Sequence, residues 1–320
     1  MASSLLLSLC LSLLPILKGH AASCDGPSFT FTSWEDDGAL DGCQTYNGDI
    51  IVDDGAPTVL RLNELHNVTG SFVITHATQF VKLEAQNLSV IGGDLKLFAL
   101  PEFTTLDLRA LRQVNNIEMS LLPSLTQEVY IQTSFAANAV YINNTGLSAL
   151  SLPVSSTKEV VDVRENYLLH SLSLPHLKDA LGGITVILNS AGLDLDLGSL
   201  ETGSDMSLKG IASINAPNLR DLHGGEYNNG IFQLDSSPLT NLSLPKLTTS
   251  GSLSVTGCPD LSYVNATLLE QTTYSSVEFA LNPNLRSIQL PALRSLKGEA
   301  VYMDFDGNFT KFVRSVLLKD

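Results

Sequence analysis

Residues 282–298 read NPNLRSIQLPALRSLKG and show most clearly a pattern that recurs along nearly the whole chain. Apolar side chains stand three and one positions before Pro291 and two and five positions after it, and a glycine follows at position seven. The same frame recurs, with weaker copies at 131, 198 and 267, around ten further anchor residues: 63, 86, 109, 131, 153, 175, 198, 217, 245 and 267. Most successive anchors are 22–24 residues apart. A repeat of this length is typical of a solenoid.

Each repeat contains a second apolar alternation after the glycine position, as in 71–75 (SFVIT) and 251–255 (GSLSV). Alternation with period two among β-branched and aromatic residues indicates a strand, and the L-x-L before the anchor is another short strand. A repeat of about 23 residues is too short for a strand–helix–strand crossover in most copies. We therefore predict an all-β chain: a right-handed parallel β-solenoid of about eleven rungs of 22–24 residues, over residues 51–310.

Asparagine recurs nine positions before the anchor in four repeats, at Asn144, Asn166, Asn189 and Asn282. An amide in a turn can bond to neighbouring backbone and to the asparagine of the next rung, which predicts an asparagine ladder. The alternative is that asparagine is simply a common turn residue. The glycine pairs at 92–93, 182–183 and 224–225 are predicted to supply positive φ at a corner.

The amino-terminal residues 1–22 are predicted to be a secretory signal peptide, with an apolar run over 5–17 followed by small residues. Cys24 and Cys43 flank a short segment that contains Trp34, the one tryptophan. In an oxidising compartment these two cysteines are predicted to form a disulfide within an amino-terminal capping segment, residues 23–50. Cys258 is left over, and is either buried and free or bonded to a partner outside this chain.

Six Asn-x-Ser/Thr sequons follow, and none has proline in the middle position: Asn67, Asn87, Asn143, Asn241, Asn265 and Asn308. We predict N-glycosylation of these residues, with one or two left as unmodified turn asparagines. After residue 310 the sequence departs from the frame, because an anchor is due near 315 and the chain instead reads KFVRSVLLKD. Residues 311–320 are therefore predicted to be an atypical tail, from a truncated chain or a wrongly assigned end.

The L-x-L-P-x-L-x-x-L-x-G rungs, the cysteine pair, the signal peptide and the sequons together resemble one family over about residues 24–310. It is the group of fungal extracellular-mutant and sporulation-specific cell-wall glycoproteins, whose solenoid is similar to the L domains of growth-factor receptors. The resemblance implies glycosylphosphatidylinositol (GPI) anchoring, a role in cell-wall integrity and morphogenesis, and no enzymatic activity. This sequence shows no Ser-rich stalk or anchor signal, so membrane attachment is expected only through a GPI anchor if the true carboxyl terminus carries one.

Residues that could carry chemistry are scattered. Carboxylates occur in pairs at Asp53 and Asp54, at Asp194 and Asp196, and at Asp304 and Asp306, and we interpret these as solvated surfaces. The run at 304–308 (DFDGN) lacks the remaining ligands of a calcium loop. The six histidines, including His170 and His176, show no metal-binding spacing, and no hydrolase or phosphate-binding motif is present. No catalytic, cofactor-binding or metal-binding residue is predicted, and no cofactor.

The predicted function is that of a non-catalytic, extracellular glycoprotein of the cell wall or the outer face of the plasma membrane, supporting cell-wall organisation. Its expected partners are wall polysaccharide or wall proteins, and not nucleic acid, because the net charge is −15. One alternative is a secreted β-helix carbohydrate-active enzyme, which requires three or more acids converging on one groove. The other is a receptor-like ligand-binding ectodomain, which requires a membrane attachment.

Overall fold

The computed structural model describes residues 23–126, 128–223, 229–274 and 277–296, and the backbone of the strand Lys311–Arg314. Each repeat forms one rung of three short strands, and equivalent strands of successive rungs pair in parallel. This confirms the predicted all-β parallel solenoid of about eleven turns. The right-handed sense of the coil stays a prediction. The signal peptide, Asn308, Asp304, Asp306 and residues 315–320 lie outside the described residues.

Ladder 1 is the row of strands that follow the glycine position. Its inward side chains alternate with outward ones, as the period-two pattern predicts. The strands are Asp25–Phe31, Thr45–Val52, Phe72–Thr75, Leu95–Phe98, Asn116–Leu122, Ala139–Thr145, Val161–Arg164, Ile184–Ile187, Met206–Lys209, Ile231–Asp235, Ser252–Thr256 and Val277–Ala280.

Ladder 2 is the row of short strands that precede the glycine position. Gln113 bridges it where one rung has no full strand. The strands are Asn67–Val68, Val90–Ile91, Phe135–Ala137, Val154–Thr157, Asp179–Ala180, Thr202–Gly203, Asp221–Leu222, Thr249–Ser250, Gln271–Thr272 and Ser295–Leu296.

Ladder 3 contains the L-x-L strands and is hydrogen-bonded in three separate groups. The first group is Val59–Arg61, Lys82–Glu84, Thr105–Asp107 and Glu128–Tyr130; the second is Ala149–Ser151, Ser171–Ser173, Leu193–Asp196 and Ile211–Asn215; the third is Asn241–Ser243, Tyr263–Asn265, Ser287–Leu290 and Lys311–Arg314. The last strand pairs in register with Ser287–Leu290 and so extends the ladder beyond residue 310.

The apolar frame of the repeat is the core of the solenoid. In the copy around Pro291, Ile288, Leu290 and Leu293 are at most 1% exposed. Equivalent leucines from every described rung form one continuous buried cluster between the ladders. Burying a leucine side chain stabilises the fold by about 1.5–3 kcal/mol, so this stack is the main source of stability.

The amino-terminal end is covered by a disulfide-bonded cap. Cys24 and Cys43 are bonded with their Cα atoms 5.6 Å apart, as predicted. The strand Asp25–Phe31 pairs with Thr45–Val52, and the 3-10 helix Trp34–Asp36 lies between them in sequence. Thr45–Val52 continues from ladder 2 into ladder 1, so the predicted boundary at residue 50 falls inside a strand.

The recurring glycines are required for close approach between rungs, which corrects the prediction of positive φ. Gly183 has a φ of 103°, but Gly92, Gly93 and Gly182 are not among the residues with positive φ. A Cβ atom added at Gly92 would lie 2.2 Å from the carbonyl oxygen of Thr69 in the preceding rung. The backbones therefore touch where a side chain would stand. Gly224 and Gly225 lie outside the described residues.

Positive φ occurs instead at the opposite corner, where each rung leaves ladder 1. Eight of these residues are not glycine, and their φ values range from 44° to 59°: His76, Ala99, Leu121, Asn144, Glu165, Leu188, Ser236 and Leu281. A left-handed conformation of this kind disfavours residues with a Cβ. Stacking of the rungs maintains the left-handed conformation, because in several rungs the residue that follows it is buried and hydrogen-bonded.

The asparagine ladder is confirmed for Asn166 and Asn189 at this corner. The Asn166 amide donates to Asn189 Oδ1 (3.1 Å), and Asn166 Oδ1 accepts from the Thr145 N–H and hydroxyl at 3.0 and 2.7 Å. Asn282 occupies the same place further along and accepts from the Cys258 N–H. The prediction was wrong for Asn144, which is the left-handed residue. Thr145 takes the buried position, because the stretch from this corner to the anchor is one residue shorter than in the rung of Asn166.

Candidate functional site

The outer surface of ladder 1 carries two columns of side chains between the second and fifth rungs. Strand alternation places them outward, while Leu97, Met119, Ile142 and Val163 point into the core. We call this surface the ladder 1 face. In register, one column is Lys96, Glu118, Tyr141 and Asp162, and the other is Phe98, Ser120, Asn143 and Arg164.

The charged groups of the ladder 1 face are paired with one another. Lys96 Nζ lies 2.9 Å from Glu118 Oε2. The Arg164 guanidinium donates to both carboxylate oxygens of Asp162, at 2.7 and 2.5 Å. The hydrogen bond to Asp162 raises the pKa of Arg164 above its ordinary value. Two cations and two anions balance, so the side chains of the two columns carry no net charge of their own.

A shallow depression of about 270 Å³ lies in this face, lined by Glu118, Ser120, Tyr141, Asn143, Asp162 and Arg164. Tyr141 stands at its centre. Burial raises the pKa of the phenol, and nearby Glu159, Asp162 and Glu118 raise it further. The hydroxyl therefore remains protonated and can donate a hydrogen bond at any physiological pH. Phe98 lies two strands from Tyr141 in the other column, with Lys96 Nζ 5.5 Å from its ring centre.

Two carboxylates line the depression, those of Glu118 and Asp162. Glu118 and Asp162 are two strands apart, about 9.5 Å by strand spacing, and each is engaged by a cation. In the part of the chain that the structure describes, no three His, Cys, Asp or Glu side chains are grouped closely enough to hold a metal ion. The arrangement is suited to binding a polar, uncharged ligand on a broad surface.

The carboxylate pair predicted on a solvated strand lies on ladder 3, away from this depression. Asp194 is exposed, and Asp196 accepts hydrogen bonds from the Ser173 hydroxyl and the Asn215 amide of the two adjacent rungs, at 2.8 and 2.7 Å. Asp196 thus helps to hold neighbouring strands together. Asp53 and Asp54 lie in an exposed loop, and His170 and His176 are both exposed.

Comparison with known proteins places this solenoid among fungal surface proteins. The chain is 28% identical over 248 residues to "Protein ecm33" of Aspergillus fumigatus, covering 72% of this chain and 62% of that protein. It is 26% identical over 303 residues to a "Cell surface GPI-anchored protein" of Arthroderma benhamiae, covering 94% of this chain and 74% of that protein. It is 25% identical over 284 residues to "Sporulation-specific protein 2" of Saccharomyces cerevisiae, covering 87% and 52%.

The chain is similar over most of its length to Ecm33-type fungal cell-surface proteins. The predicted resemblance is thereby confirmed, and with it an extracellular location at the cell wall or the outer face of the plasma membrane. None of these three names describes an enzyme. The matched regions span 62% of the Aspergillus relative and about half of the yeast relative. No family model matches the chain, and no solved structure matches it.

Sequence reasoning did not select the ladder 1 face. Its residues come from four repeats, and each repeat contributes only two outward positions that differ from copy to copy. The available signal was the register: once the strands stack, Glu118, Tyr141 and Asp162 become neighbours. No described helix of the chain is long and apolar enough to span a membrane.

The five described sequons are distributed over different surfaces. Asn87 and Asn241 are exposed, in a turn and on a ladder 3 strand. Asn67, Asn143 and Asn265 are half-buried, and Asn143 lines the ladder 1 depression. The Oδ1 atoms of Asn143 and Asn265 are shielded from solvent. Glycosylation of these residues stays a prediction.

Cys258 is free and buried, which resolves the two alternatives that its sequence left open. It occupies the corner position that Asn166 and Asn189 occupy in other rungs. Its thiol donates to the Thr256 carbonyl (3.4 Å), and burial raises its pKa to about 11. The thiol therefore acts as a small polar core group and is protonated at physiological pH.

Proposed function

We propose that the chain is a non-catalytic glycoprotein that supports fungal cell-wall organisation, and that its ladder 1 face binds wall polysaccharide. The observation that carries this proposal is the depression around Tyr141, in which the charged side chains of the two columns neutralise one another. A neutral polysaccharide offers hydroxyl groups for Ser120, Tyr141 and the ion pairs, and flat C–H surfaces for the aromatic rings.

The pairing of the carboxylates supports the non-catalytic part of the proposal. A carbohydrate-active enzyme needs acids that are free to transfer protons or attack, whereas Glu118 and Asp162, which line the depression, are each paired with a cation. The relatives' names support a surface assignment, because one of them describes a cell-surface protein. GPI anchoring, which one of these names states for the relative, is proposed for this protein as well.

The test is complementation of a strain of the source fungus from which the gene has been deleted. We expect deletion to increase sensitivity to a wall-binding dye and to a β-glucanase. Wild type and Glu118→Gln should restore resistance, because the carboxylate is not chemically required. Tyr141→Ala should restore it less well, because the centre of the binding surface is lost.

The matched control is Tyr274→Ala, which removes an exposed tyrosine that is not among the residues lining the depression. It should complement as wild type does, with all variants secreted at equal levels. If Glu118→Gln fails while Tyr141→Ala succeeds, the enzyme alternative replaces this proposal. A deletion strain with normal wall resistance would reject the role in the wall.

A further inference from the structure

Trp34 is the one tryptophan of the chain, and 74% of its side chain is exposed. Among the large apolar side chains that the structure describes, this is the highest exposed fraction. Burying apolar surface stabilises a protein by about 25 cal/mol per Å². An exposed tryptophan, which has a large apolar surface, therefore loses more of this stabilisation than a smaller residue does. A single exposed apolar residue needs no explanation by itself, so its surroundings decide the matter.

Trp34 forms one wall of a groove of about 540 Å³ at the amino-terminal end of the solenoid. The groove is bounded by the cap turn, by the loop that follows Thr45–Val52, and by the start of the next rung. Its lining combines one indole with a few polar groups over a small apolar floor: Trp34, Asp37, Gly55, Ala56, Pro57, Thr58, Val59, Arg61 and Gln79. We call it the Trp34 groove.

The turn that carries Trp34 is fixed by hydrogen bonds at both ends. Asp36 Oδ2 accepts from the N–H groups of Thr32 (2.7 Å) and Ser33 (2.9 Å), and the Ser33 hydroxyl accepts from the Glu35 N–H. The bond from Thr32 lowers the pKa of Asp36, so the carboxylate stays ionised and keeps the cap in place. The indole is therefore held out from the surface by a rigid support.

The opposite wall is fixed as well. Gly55 has a φ of 93°, and a Cβ atom there would lie 2.8 Å from the Thr32 carbonyl, so this loop passes directly beneath the cap. Asp54 Oδ1 accepts from the N–H and hydroxyl of Thr78, at 3.1 and 2.9 Å, which ties the loop to the next rung. A groove with walls fixed in this way pays little ordering cost when a ligand enters.

The polar groups of the groove indicate the class of ligand. Asp37 and Arg61 contribute one charge of each sign, and Arg61 is paired with Glu84 at 2.9 Å. Gln79 and Thr58 add neutral donors and acceptors. The surrounding cap is acidic, with Glu35, Asp36 and Asp41, and the chain carries a net charge of −15, which disfavours anionic ligands.

We propose that the Trp34 groove binds a neutral, β-linked polysaccharide of glucose or N-acetylglucosamine units. In these sugars the ring substituents are equatorial, so each unit presents a flat C–H surface that can pack on the indole and a polar rim that can bond to Asp37, Gln79 and Arg61. The proposal relies on the extracellular wall location, and is independent of the ladder 1 face.

The experiment uses the secreted full chain, whose fluorescence reports on Trp34 alone because the chain has no other tryptophan. Titration with soluble β-1,3-glucan oligosaccharides and with chitin oligosaccharides should shift the emission to shorter wavelength and saturate. The oligosaccharide whose titration reaches saturation shows whether the ligand is a glucan or chitin. In a Tyr141→Ala background, which removes the proposed ladder 1 contribution, Trp34→Ala should weaken co-sedimentation with the insoluble form of that polymer about tenfold or more.

Matched variants separate binding from folding. Trp34→Phe should keep most of the co-sedimentation, and Tyr167→Ala, which removes another exposed aromatic, should leave it unchanged. Tyr141→Ala should leave the emission titration unchanged, so failure of this proposal and failure of the proposed ladder 1 function are distinguishable.

Two results would overturn the inference. One is an emission spectrum that neither neutral oligosaccharide changes, together with normal co-sedimentation of Trp34→Ala. The other is binding only to a cationic glucosamine polymer that is lost at high salt, which would assign the effect to the acidic cap.

Discussion

The ladder 1 face and the outer surface of ladder 3 are built on the same leucine core but differ in chemistry. The ladder 3 surface from the sixth to the tenth rung carries mostly hydroxyl and amide groups: Ser171, Ser173, Asp194, Asp196, Ser213, Asn215, Asn241, Ser243, Tyr263 and Asn265. The ladder 1 face carries paired charges around Tyr141. Two of the sequons lie on ladder 3, and one of them, Asn241, is exposed. We infer that the inward residues determine the fold. The outward residues determine where glycans are attached, on the ladder 3 surface, and where a ligand binds, on the ladder 1 face.

The largest expected effect comes from a change that removes the core shared by both surfaces. Leu172→Ala, at a fully buried ladder 3 position, should lower the free energy of unfolding by about 2–5 kcal/mol. Chemical denaturation of the secreted protein measures this. Ser171→Ala, at the exposed outward position on the other side of Leu172, should change it by less than about 0.5 kcal/mol. Equal effects of the two variants would contradict the assignment of inward and outward positions.

The next effect concerns the corner that joins ladder 1 to ladder 3. Asn166→Ala removes an amide that bonds to Thr145, Asn189 and the Ile142 carbonyl, and leaves those buried groups unpaired. We expect a loss of about 1–3 kcal/mol in the free energy of unfolding. Asn144→Ala, at the exposed left-handed position beside it, is the matched control and should cost less. A larger loss of stability in Asn144→Ala than in Asn166→Ala would support the prediction from the sequence that Asn144 belongs to the asparagine ladder.

A smaller effect depends on pH and on Cys258, which occupies the same corner. Its pKa is about 11 in the folded protein and its ordinary value is 9.0, so between these pH values the unfolded chain releases a proton that the folded chain retains. Stability should be unaffected below about pH 9 and should fall as the pH rises toward 11. In Cys258→Ser this part of the fall should be absent. An identical pH profile for both proteins would contradict the burial of the thiol.

The smallest effect on stability, and the sharpest test of the two surfaces, is the pattern of glycosylation. Asn241→Gln and Asn87→Gln should each remove one glycan, because both asparagines are exposed. Asn143→Gln should leave the mass of the glycoprotein nearly unchanged, because Asn143 is half-buried between Ser120 and Arg164 in the ladder 1 depression, where a glycan has little room. Intact-mass spectrometry of the secreted variants measures this. A glycan on Asn143 would fill the depression and exclude it as a ligand surface.

Most of the fold was predictable from the sequence, because the frame around Pro291 repeats and every apolar position in it has one role. The disulfide between Cys24 and Cys43 followed from its place before the first rung. The corners were not predictable. Gly92 is constrained by the backbone of the neighbouring rung, whereas Leu121 is constrained by its left-handed conformation. Both constraints depend on contacts between rungs.

The candidate surfaces were still less accessible to sequence reasoning. The Tyr141 depression combines outward residues about 22 positions apart, and their meaning appears only when the register is known. For Trp34, the sequence marked the residue as unique but did not indicate that the cap would hold it exposed above a groove. Outward positions vary from rung to rung, whereas inward positions are constrained by packing.

The central claim is that the ladder 1 face binds wall polysaccharide without changing it. The most direct measurement incubates the secreted Trp34→Ala variant, which lacks the other proposed polysaccharide site, with size-defined wall oligosaccharides, and records both the bound fraction and the length of the oligosaccharides afterwards. The account predicts saturable binding that Tyr141→Ala weakens, with every oligosaccharide recovered at its original length. Oligosaccharides that become shorter or longer, or binding that Tyr141→Ala leaves intact, would contradict it.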